Sequence, residues 1–173
     1  KKFSPAPGSF MERARDLFIF QMYTGLSYSD AQAFDISSYK KIKGKWCAIG
    51  SRIKTGVPYV SQLLPPVVEM LERNGWQVPK MNNQRYNQML KAIGMVIGIE
   101  NLHSHMGRHT FATYMLSNGA KIENVSRMLG HTNITQTQRY AKVLAKDVHD
   151  DFDKIAKKLK SKKYLYKICI YRK

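Results

Sequence analysis

A series of helix start and stop signals divides this chain of 173 residues into short segments. Ser9 with Glu12 three residues later is a capping box, and Gly25 is the residue type that commonly ends a helix. Ser27 and Asp30 form a second box of the same kind. These signals predict a first helix that stops at Gly25 and a short second helix directly after it.

One stretch in the first half of the chain has a different pattern. In "YKKIKGKWCAIGSRIKTGVPYVSQL", residues 39–63, the turn sequences Lys-Gly and Lys-Thr-Gly separate runs rich in Tyr, Ile, Trp and Val. Strand-forming residues broken by turn residues predict a small antiparallel sheet. The fold class predicted by the whole pattern is mainly α with a small antiparallel β-sheet.

Helix signals resume after this stretch. The predicted helices are "PPVVEMLERNG", "NNQRYNQMLKAIGMVIG", one capped by Ser104 that stops before Gly119, "KIENVSRML", and one that opens at Thr132 or Asn133 and runs through Leu144. A basic helix, "DDFDKIAKKLKSKK", and a short strand, "YLYKICIY", follow. We expect one main domain over residues 1–155 and a basic helix end with a tail over 156–173. Because the chain begins without methionine, we expect it to be a piece of a longer protein whose upstream domain is missing here.

The charge of the chain indicates a polyanionic partner. Its 29 Lys and Arg residues against 12 Asp and Glu give a net charge of +17, which favours nucleic acid over a merely solvated basic surface. The sequence has no apolar run of membrane-spanning length and no signal-like N-terminus. Cys47 and Cys169 indicate neither a disulfide scaffold nor a thiolate zinc site, so we expect a reducing compartment, the cytoplasm.

Three of the five histidines lie together with an arginine in "LHSHMGRHTF", residues 102–111. His105 and Arg108 are three residues apart and therefore share one face of the first helical turns. The free N–H groups of a helix start favour an anionic oxygen such as a phosphate. His105 and His109 have the four-residue spacing of a metal pair, so a metal site remains an alternative, although zinc would need a further ligand.

A second motif decides how this cluster is interpreted. In "LGHTNITQTQRYA", His131 follows a glycine and Tyr140 comes nine residues later. With these residues the chain resembles the catalytic domain of tyrosine recombinases, the phage and mobile-element integrase family, from about residue 9 to residue 145. The matching motifs, in the order of the family, are "YTGLSYSD", "RIKTG", "SHMGRHTFATYMLSNG" and "VSRMLGHTNITQTQRYAKV".

The resemblance implies site-specific DNA recombination through a covalent intermediate. Tyr140 would attack the scissile phosphate, form a 3′-phosphotyrosyl bond and release a 5′-hydroxyl, with neither ATP nor a metal or other cofactor. Arg108 would bind non-bridging oxygens, His105 would carry a proton or donate to the phosphate, and His131 would hold another oxygen. Lys54 would be the general acid for the leaving oxygen.

The chain departs from the family at one catalytic position. The family carries its first catalytic arginine directly after "TGL", where this chain has Ser27, as does a branch of mobile-element integrases. A serine cannot replace that positive charge. In a helical projection Arg13 lies on the polar side of the first helix and Arg15 on the apolar side. We therefore expect Arg15 to supply the missing cation; the alternative is an arginine paired with a structural carboxylate or one that extends to solvent.

Partners follow from the charge and from the family. The partner predicted is double-stranded DNA, with a tetramer on DNA, a monomer in its absence, no membrane, and a location beside the bacterial nucleoid. In the family, tails such as "YLYKICIY" often contact a neighbouring protomer. The predicted DNA-binding residues are Lys41, Lys43, Lys45, Arg52 and Arg139.

Two other functions remain open at this point. A type IB topoisomerase uses a similar set of residues to relax supercoils, and strand exchange between two defined sites would distinguish a recombinase from it. A catalytically impaired DNA-binding relic is suggested by Ser27. Trapping of a covalent protein–DNA adduct would separate the relic from both enzymes.

Overall fold

The computed structural model describes residues 4–144, which form seven α-helices, one 3₁₀ turn and a sheet of three strands. The elements in chain order are α1 (Phe10–Thr24), α2 (Tyr28–Ala33), the 3₁₀ turn (Ile36–Ser38), β1 (Tyr39–Ile42), β2 (Lys45–Ser51), β3 (Pro58–Gln62), α3 (Pro65–Arg73), α4 (Asn83–Ile97), α5 (Ser104–Ser117), α6 (Ile122–Leu129) and α7 (Thr135–Leu144). The predicted fold class is confirmed. The predicted boundary at residue 155, the basic helix and the tail lie outside the described residues.

The first helix begins and ends where its sequence signals lie. Ser9 Oγ accepts the backbone N–H of Glu12 at 3.1 Å, and Gly25 closes the helix with a φ of +72°. A Cβ at Gly25 would lie 2.5 Å from a ring carbon of Phe111, so both the backbone angle and the packing require glycine here. The chain can therefore turn sharply from α1 into α2, close to α5.

The predicted sheet is present, with the strand order β1-β2-β3 and antiparallel pairing throughout. Lys43 and Gly44 both have positive φ angles and form the tight turn between β1 and β2. The turn between β2 and β3 is longer, and the Arg52 N–H donates to the carbonyl of Val57 at 2.9 Å across its base. This second turn carries Lys54, which is exposed.

Helix α5 starts one position away from its expected cap. Ser104 is the first residue of the helix and the extended residue His103 precedes it, so the prediction that Ser104 caps α5 is wrong. The reason is a side chain from α4, because Asn87 Oδ1 accepts the Ser104 N–H at 2.9 Å. At the start of α7, Asn133 Oδ1 accepts the Thr135 N–H at 2.9 Å, which confirms the predicted opening at this position.

Helix α1 lies at the centre and packs against α3, α4 and α5. Its Leu17 and Phe20 are fully buried in the larger apolar cluster, which also includes residues of the sheet. A smaller cluster joins α5, α6 and α7 through Phe111, Leu129 and Tyr140. No helix within residues 4–144 has the length and apolar character needed to cross a bilayer.

Candidate active site

An open cavity of about 810 Å³ lies where α2, the β2–β3 turn, α5 and the α6–α7 region meet. The residues predicted from the sequence that line it are Arg52, Lys54, His105, Arg108, His131, Arg139 and Tyr140. These residues come from four separate parts of the chain, so the fold alone brings them together.

Arg108 is held in this cavity by backbone oxygens. Its Nη1 donates to the carbonyl of Gly25 at 2.8 Å, and its Nη2 donates to the carbonyl of Leu129 at 2.9 Å. These oxygens lie at the C-terminal ends of α1 and α6, where helix carbonyls lack intrahelical partners and carry partial negative charge. Arg108 is 9 % exposed and lines the cavity.

Arg52 lies beside Arg108 and uses the same two oxygens. Its Nε donates to the Leu129 carbonyl at 2.7 Å, and its Nη2 donates to both Leu129 and Gly25. The sequence analysis predicts Arg52 as a DNA-binding residue of the surface, but the side chain is buried, with only 5 % of the residue exposed. Burial lowers the pKa of its guanidinium, and the charge of Asp30 opposes that effect.

Asp30 links Arg52 to the position of the missing arginine. One carboxylate oxygen of Asp30 accepts Arg52 Nη1 at 2.5 Å and also the hydroxyl of Ser27 at 2.5 Å. The other oxygen accepts the N–H of Ile53 at 2.9 Å. From the sequence, Asp30 was recognised only as a helix cap, because its second partner is 22 residues further along the chain.

Arg15, the expected replacement for the missing arginine, lies elsewhere. Its Nη2 is 2.7 Å from Asp16 Oδ1 and 3.2 Å from Glu12 Oε1, and it does not line the cavity. The buried Asp16 also accepts Arg73 Nη2 at 3.0 Å and the side-chain amide of Asn74 at 2.9 Å. The prediction that Arg15 joins the active site is therefore wrong, and the alternative of an arginine paired with a structural carboxylate describes it.

His131 is oriented by a buried hydroxyl. Its Nδ1 shares a hydrogen bond of 2.7 Å with Oγ1 of Thr137, which is fully buried in α7. The ring lies parallel to that of Tyr140, with 6.4 Å between the centroids. Burial first, and then the charge of Arg52, lowers the pKa of His131 below its usual value. The ring is therefore neutral at pH 7.

Tyr140 lies among histidines at the cavity wall. Its ring is 5.0 Å from that of His109 in an edge contact, and His109 in turn contacts His105 at 4.6 Å. Burial raises the pKa of Tyr140, and the charge of Arg139 opposes this only in part. Burial also lowers the pKa of His109, with His105 and His103 adding to the effect. A neutral phenol therefore lies beside the neutral imidazole of His109, for which the sequence suggests only a role as a metal ligand.

The charges at the cavity are strongly unbalanced. Asp30 is the sole carboxylate among the described residues that line it, against the side chains of Arg52, Lys54, Arg108 and Arg139. The part of the chain that the structure describes has no group of three His, Cys, Asp or Glu side chains placed to hold a metal ion. Such a cavity suits a ligand with several negative oxygens.

The sequence profile of the phage integrase family matches residues 8–147. The chain belongs to the phage integrase family. The match includes every residue that lines the cavity and all the helices and strands of the described fold.

Relatives of this integrase-family chain include named recombinases. It is 30 % identical over 109 residues to tyrosine recombinase XerC of Staphylococcus carnosus, which is 58 % of this chain and 36 % of the relative. It is 50 % identical over 50 residues to tyrosine recombinase XerC of Chlorobaculum tepidum, 29 % of this chain and 15 % of the relative. The chain thus spans about a third or less of the length of these relatives.

Solved structures share the fold. The catalytic domain of bacteriophage HP1 integrase matches with a TM-score of 0.56 and 19 % identity, over 82 % of this chain and 88 % of that one. The XerH recombinase bound to its difH substrate matches with a TM-score of 0.63 and 18 % identity, over 79 % of this chain and 45 % of that one. These likenesses show the tyrosine recombinase fold in the integrase-family chain.

The remaining predicted residues are exposed, and two of them line the cavity. Lys54 is exposed on the β2–β3 turn and Arg139 is exposed next to Tyr140. Lys41, Lys43 and Lys45 are exposed on the β1–β2 hairpin and do not line the cavity. Their contact with DNA stays a prediction.

Proposed function

We propose that the chain cuts and rejoins DNA strands at defined sites, as a site-specific recombinase of a mobile element. The observation that carries this proposal is the meeting of Tyr140, Arg108 and His131 in one cationic cavity. Each side chain comes from a different part of the chain, and each matches a role in phosphoryl transfer through tyrosine. The names of the relatives support the same class of reaction.

The proposed reaction exchanges one phosphodiester for another. The oxygen of Tyr140 bonds to the scissile phosphorus, the bond from phosphorus to the 5′-oxygen breaks, and the 3′ end stays on the tyrosine. The tyrosine proton passes to His105, the proposed proton carrier in the cavity, and Lys54 gives a proton to the departing 5′-oxygen. Arg108 stabilises the negative charge that develops on the non-bridging oxygens. Rejoining reverses these steps with a 5′-hydroxyl from another strand.

Two histidines complete this scheme. His131 is neutral and fixed by Thr137, so it can donate a hydrogen bond from its other ring nitrogen to a phosphate oxygen. His105 lies at the start of α5, where the backbone N–H groups also favour an anion. We assign His105 to a hydrogen bond or proton transfer at the same phosphate.

The other two functions receive less support. The relatives above are named recombinases, which favours strand exchange over the topoisomerase alternative. A relic with an impaired site is disfavoured by the packing of Arg108. This arginine is buried, and two hydrogen bonds to backbone oxygens fix its guanidinium in the cavity, as binding of a phosphate requires. The proposed partner is double-stranded DNA, on which four copies assemble from monomers in the bacterial cytoplasm. The placement of this chain in the serine-bearing branch of the family belongs to the same proposal.

Capture of a covalent adduct tests this function without knowledge of the target site. The protein is incubated with a library of nicked duplexes of randomised sequence, and denaturing gels separate adducts from free DNA. A nick beside the cleavage position lets the short 5′-hydroxyl strand diffuse away, so the adduct accumulates. Sequencing of the captured DNA should give a defined site, and capture of random sequences or of none would contradict the proposal.

The matched control removes one hydroxyl. Tyr140→Phe should abolish the adduct and leave folding nearly unchanged, since Tyr140 makes no side-chain hydrogen bond within the described residues. Tyr114 is half exposed on α5 and packs on Tyr23, outside the cavity, so Tyr114→Phe should form the adduct normally. An adduct that persists in Tyr140→Phe would reassign the nucleophile.

A further inference from the structure

Arg52 and Arg108 form a pair of guanidinium groups on the same two backbone oxygens, and both line the cavity that contains Tyr140. We infer that Arg52 is the second cation that contacts the scissile phosphate, and that Asp30 positions it there. This inference rests on the proposed function and names the residue that takes over the role left open by Ser27. It replaces the earlier expectation for Arg15.

The contacts of Arg52 leave room for a phosphate oxygen. Four contacts hold its guanidinium, and one N–H of Nη1 has no acceptor within residues 4–144. The side chain enters from the end of β2 and packs against Gly130, directly before His131. The free N–H therefore belongs to a group that is already fixed in the cavity, which is the condition for effective stabilisation of a transition state.

Charge separates this role from that of a purely structural ion pair. Asp30 neutralises one of the two guanidiniums, so the pair retains a positive charge inside a partly buried site. Two like charges held against the same oxygens repel each other, and a bound phosphate with its two non-bridging oxygens relieves that repulsion. A structural pair of one arginine and one carboxylate has no net positive charge and so does not favour an added anion.

Ser27 explains why the cation can come from another part of the chain. Its hydroxyl donates to the same carboxylate oxygen of Asp30 that accepts Arg52. The residue at position 27 and Arg52 are therefore separated only by the carboxylate of Asp30, which both contact. The small serine leaves this space to Arg52, whose side chain arrives from the β2–β3 turn.

The test compares two forms of the DNA captured by the protein. In one form the scissile phosphate is intact; in the other a methylphosphonate replaces a charged non-bridging oxygen with a methyl group. If Arg52 contacts that phosphate, Arg52→Ala should slow adduct formation on the intact phosphate on the order of a hundredfold. It should slow it far less on the neutral one, so the ratio of the two rates falls at least tenfold below that of the unchanged protein.

Two variants separate this effect from loss of folding. Arg52→Ala with Asp30→Asn removes the cation without leaving a buried carboxylate unpaired, and it should show the same change in ratio. Arg15→Ala is the matched control, because Arg15 is also paired with an aspartate but lies outside the cavity. An unchanged rate ratio in both Arg52 variants would overturn the inference, whatever the absolute rates.

The positioning role of Asp30 is tested by a separate variant. Asp30→Asn keeps the hydrogen-bonding shape but removes the charge that holds Arg52, so the rate ratio should fall partway toward that of Arg52→Ala. Arg52→Lys should not restore it, because a lysine cannot make the forked contacts. An Asp30→Asn protein with the ratio of the unchanged protein would show that Asp30 does not position Arg52.

Binding of inorganic phosphate tests the contact without any DNA cleavage. The ring resonances of His105 and His131 report occupancy of the cavity, and Arg52→Ala should weaken phosphate roughly tenfold or more. Equal affinity in Arg52→Ala and the unchanged protein would refute the contact. If Arg52→Ala weakens phosphate but no DNA adduct forms in the unchanged protein, the proposed function fails and the phosphate site remains.

Discussion

Arg52 and Arg108 both donate to the carbonyl oxygens of Gly25 and Leu129, although the two arginines are far apart in the sequence. This shared anchor makes the cavity sensitive to small changes around it.

Gly130 is in contact with one member of the pair. A Cβ there would lie 2.9 Å from Arg52 Cγ, and the residue has a φ of +58°. Gly130→Ala should therefore slow adduct formation and cost about 1 kcal/mol or more of stability. Gly119→Ala is the control, since Gly119 has a φ of +83° with nothing within 4 Å of its Cβ position. Equal adduct rates in the two variants would contradict the prediction.

The proposed function of Arg108 depends on the planar, forked shape of its guanidinium as well as on its charge. Its two Nη atoms reach two carbonyls at once, which a single ammonium cannot do. We expect Arg108→Lys to reduce the rate of adduct formation on the order of a hundredfold or more. Arg127→Lys, an exposed position on α6, should leave the rate within about twofold. Single-turnover rates on the captured duplex measure both.

Ser27→Arg tests the exchange between two positions for one cation. In the Arg52→Ala protein, a new arginine beside Asp30 should recover part of the lost adduct rate, because the carboxylate that held Arg52 is then unpaired. In the unchanged protein the same substitution should not raise the rate, since both arginines would compete for Asp30. The prediction fails if Ser27→Arg has the same effect in both backgrounds.

His131 should make stability depend on pH. Its pKa in the folded chain lies below the value of about 6.5 expected when unfolded, so the unfolded chain binds more protons between the two values. Its contribution is complete above about pH 6.5 and is lost as the pH falls through the folded pKa. Urea denaturation from pH 7 to 5 should show that the free energy of unfolding falls less steeply with pH in His131→Gln than in the unchanged protein. It should fall less steeply still when His109→Gln is added. Identical slopes in all three proteins would exclude this origin.

The hairpin lysines should contribute to the salt dependence of DNA binding. We expect the logarithm of the affinity to fall linearly with the logarithm of the salt concentration. Replacing Lys41, Lys43 and Lys45 with alanine should reduce that slope by about 2 to 3 if each contacts a phosphate. Lys91→Ala on α4, which contributes nothing to the cavity, is the control. An unchanged slope in the triple variant would remove these lysines from the DNA contact.

Local signals predicted most of the described fold. The family motifs predicted the catalytic candidates Lys54, His105, Arg108, His131 and Tyr140, which the fold brings to one cavity. The caps at Ser9 and Ser27 and the glycine stop at Gly25 are encoded within a few residues, so the sequence is sufficient to find them. The position of Arg52 is not encoded in this way. The acceptor oxygen of Leu129 is 77 residues further along the chain, and no period or turn signal contains that contact.

The error at Arg15 has a different physical cause. A helical projection treats each side chain as a direction from the axis, and Arg15 does lie on the half-buried side of α1. A long arginine side chain, however, extends along the helix to a carboxylate three residues away or to its neighbour. Projection therefore predicted a need for an anionic partner but could not show that Asp16 and Glu12 already meet it.

The anchors of the arginine pair have a consequence for how such a site changes over generations. Every amino acid contributes the same carbonyl oxygen to the main chain, so no substitution at position 25 or 129 can delete the two acceptors unless it redirects the backbone. A guanidinium from any segment that reaches the ends of α1 and α6 can donate to the same two carbonyl oxygens. In the proposed site, the segment that supplies the second cation can therefore change without loss of the acceptors, because these belong to the main chain.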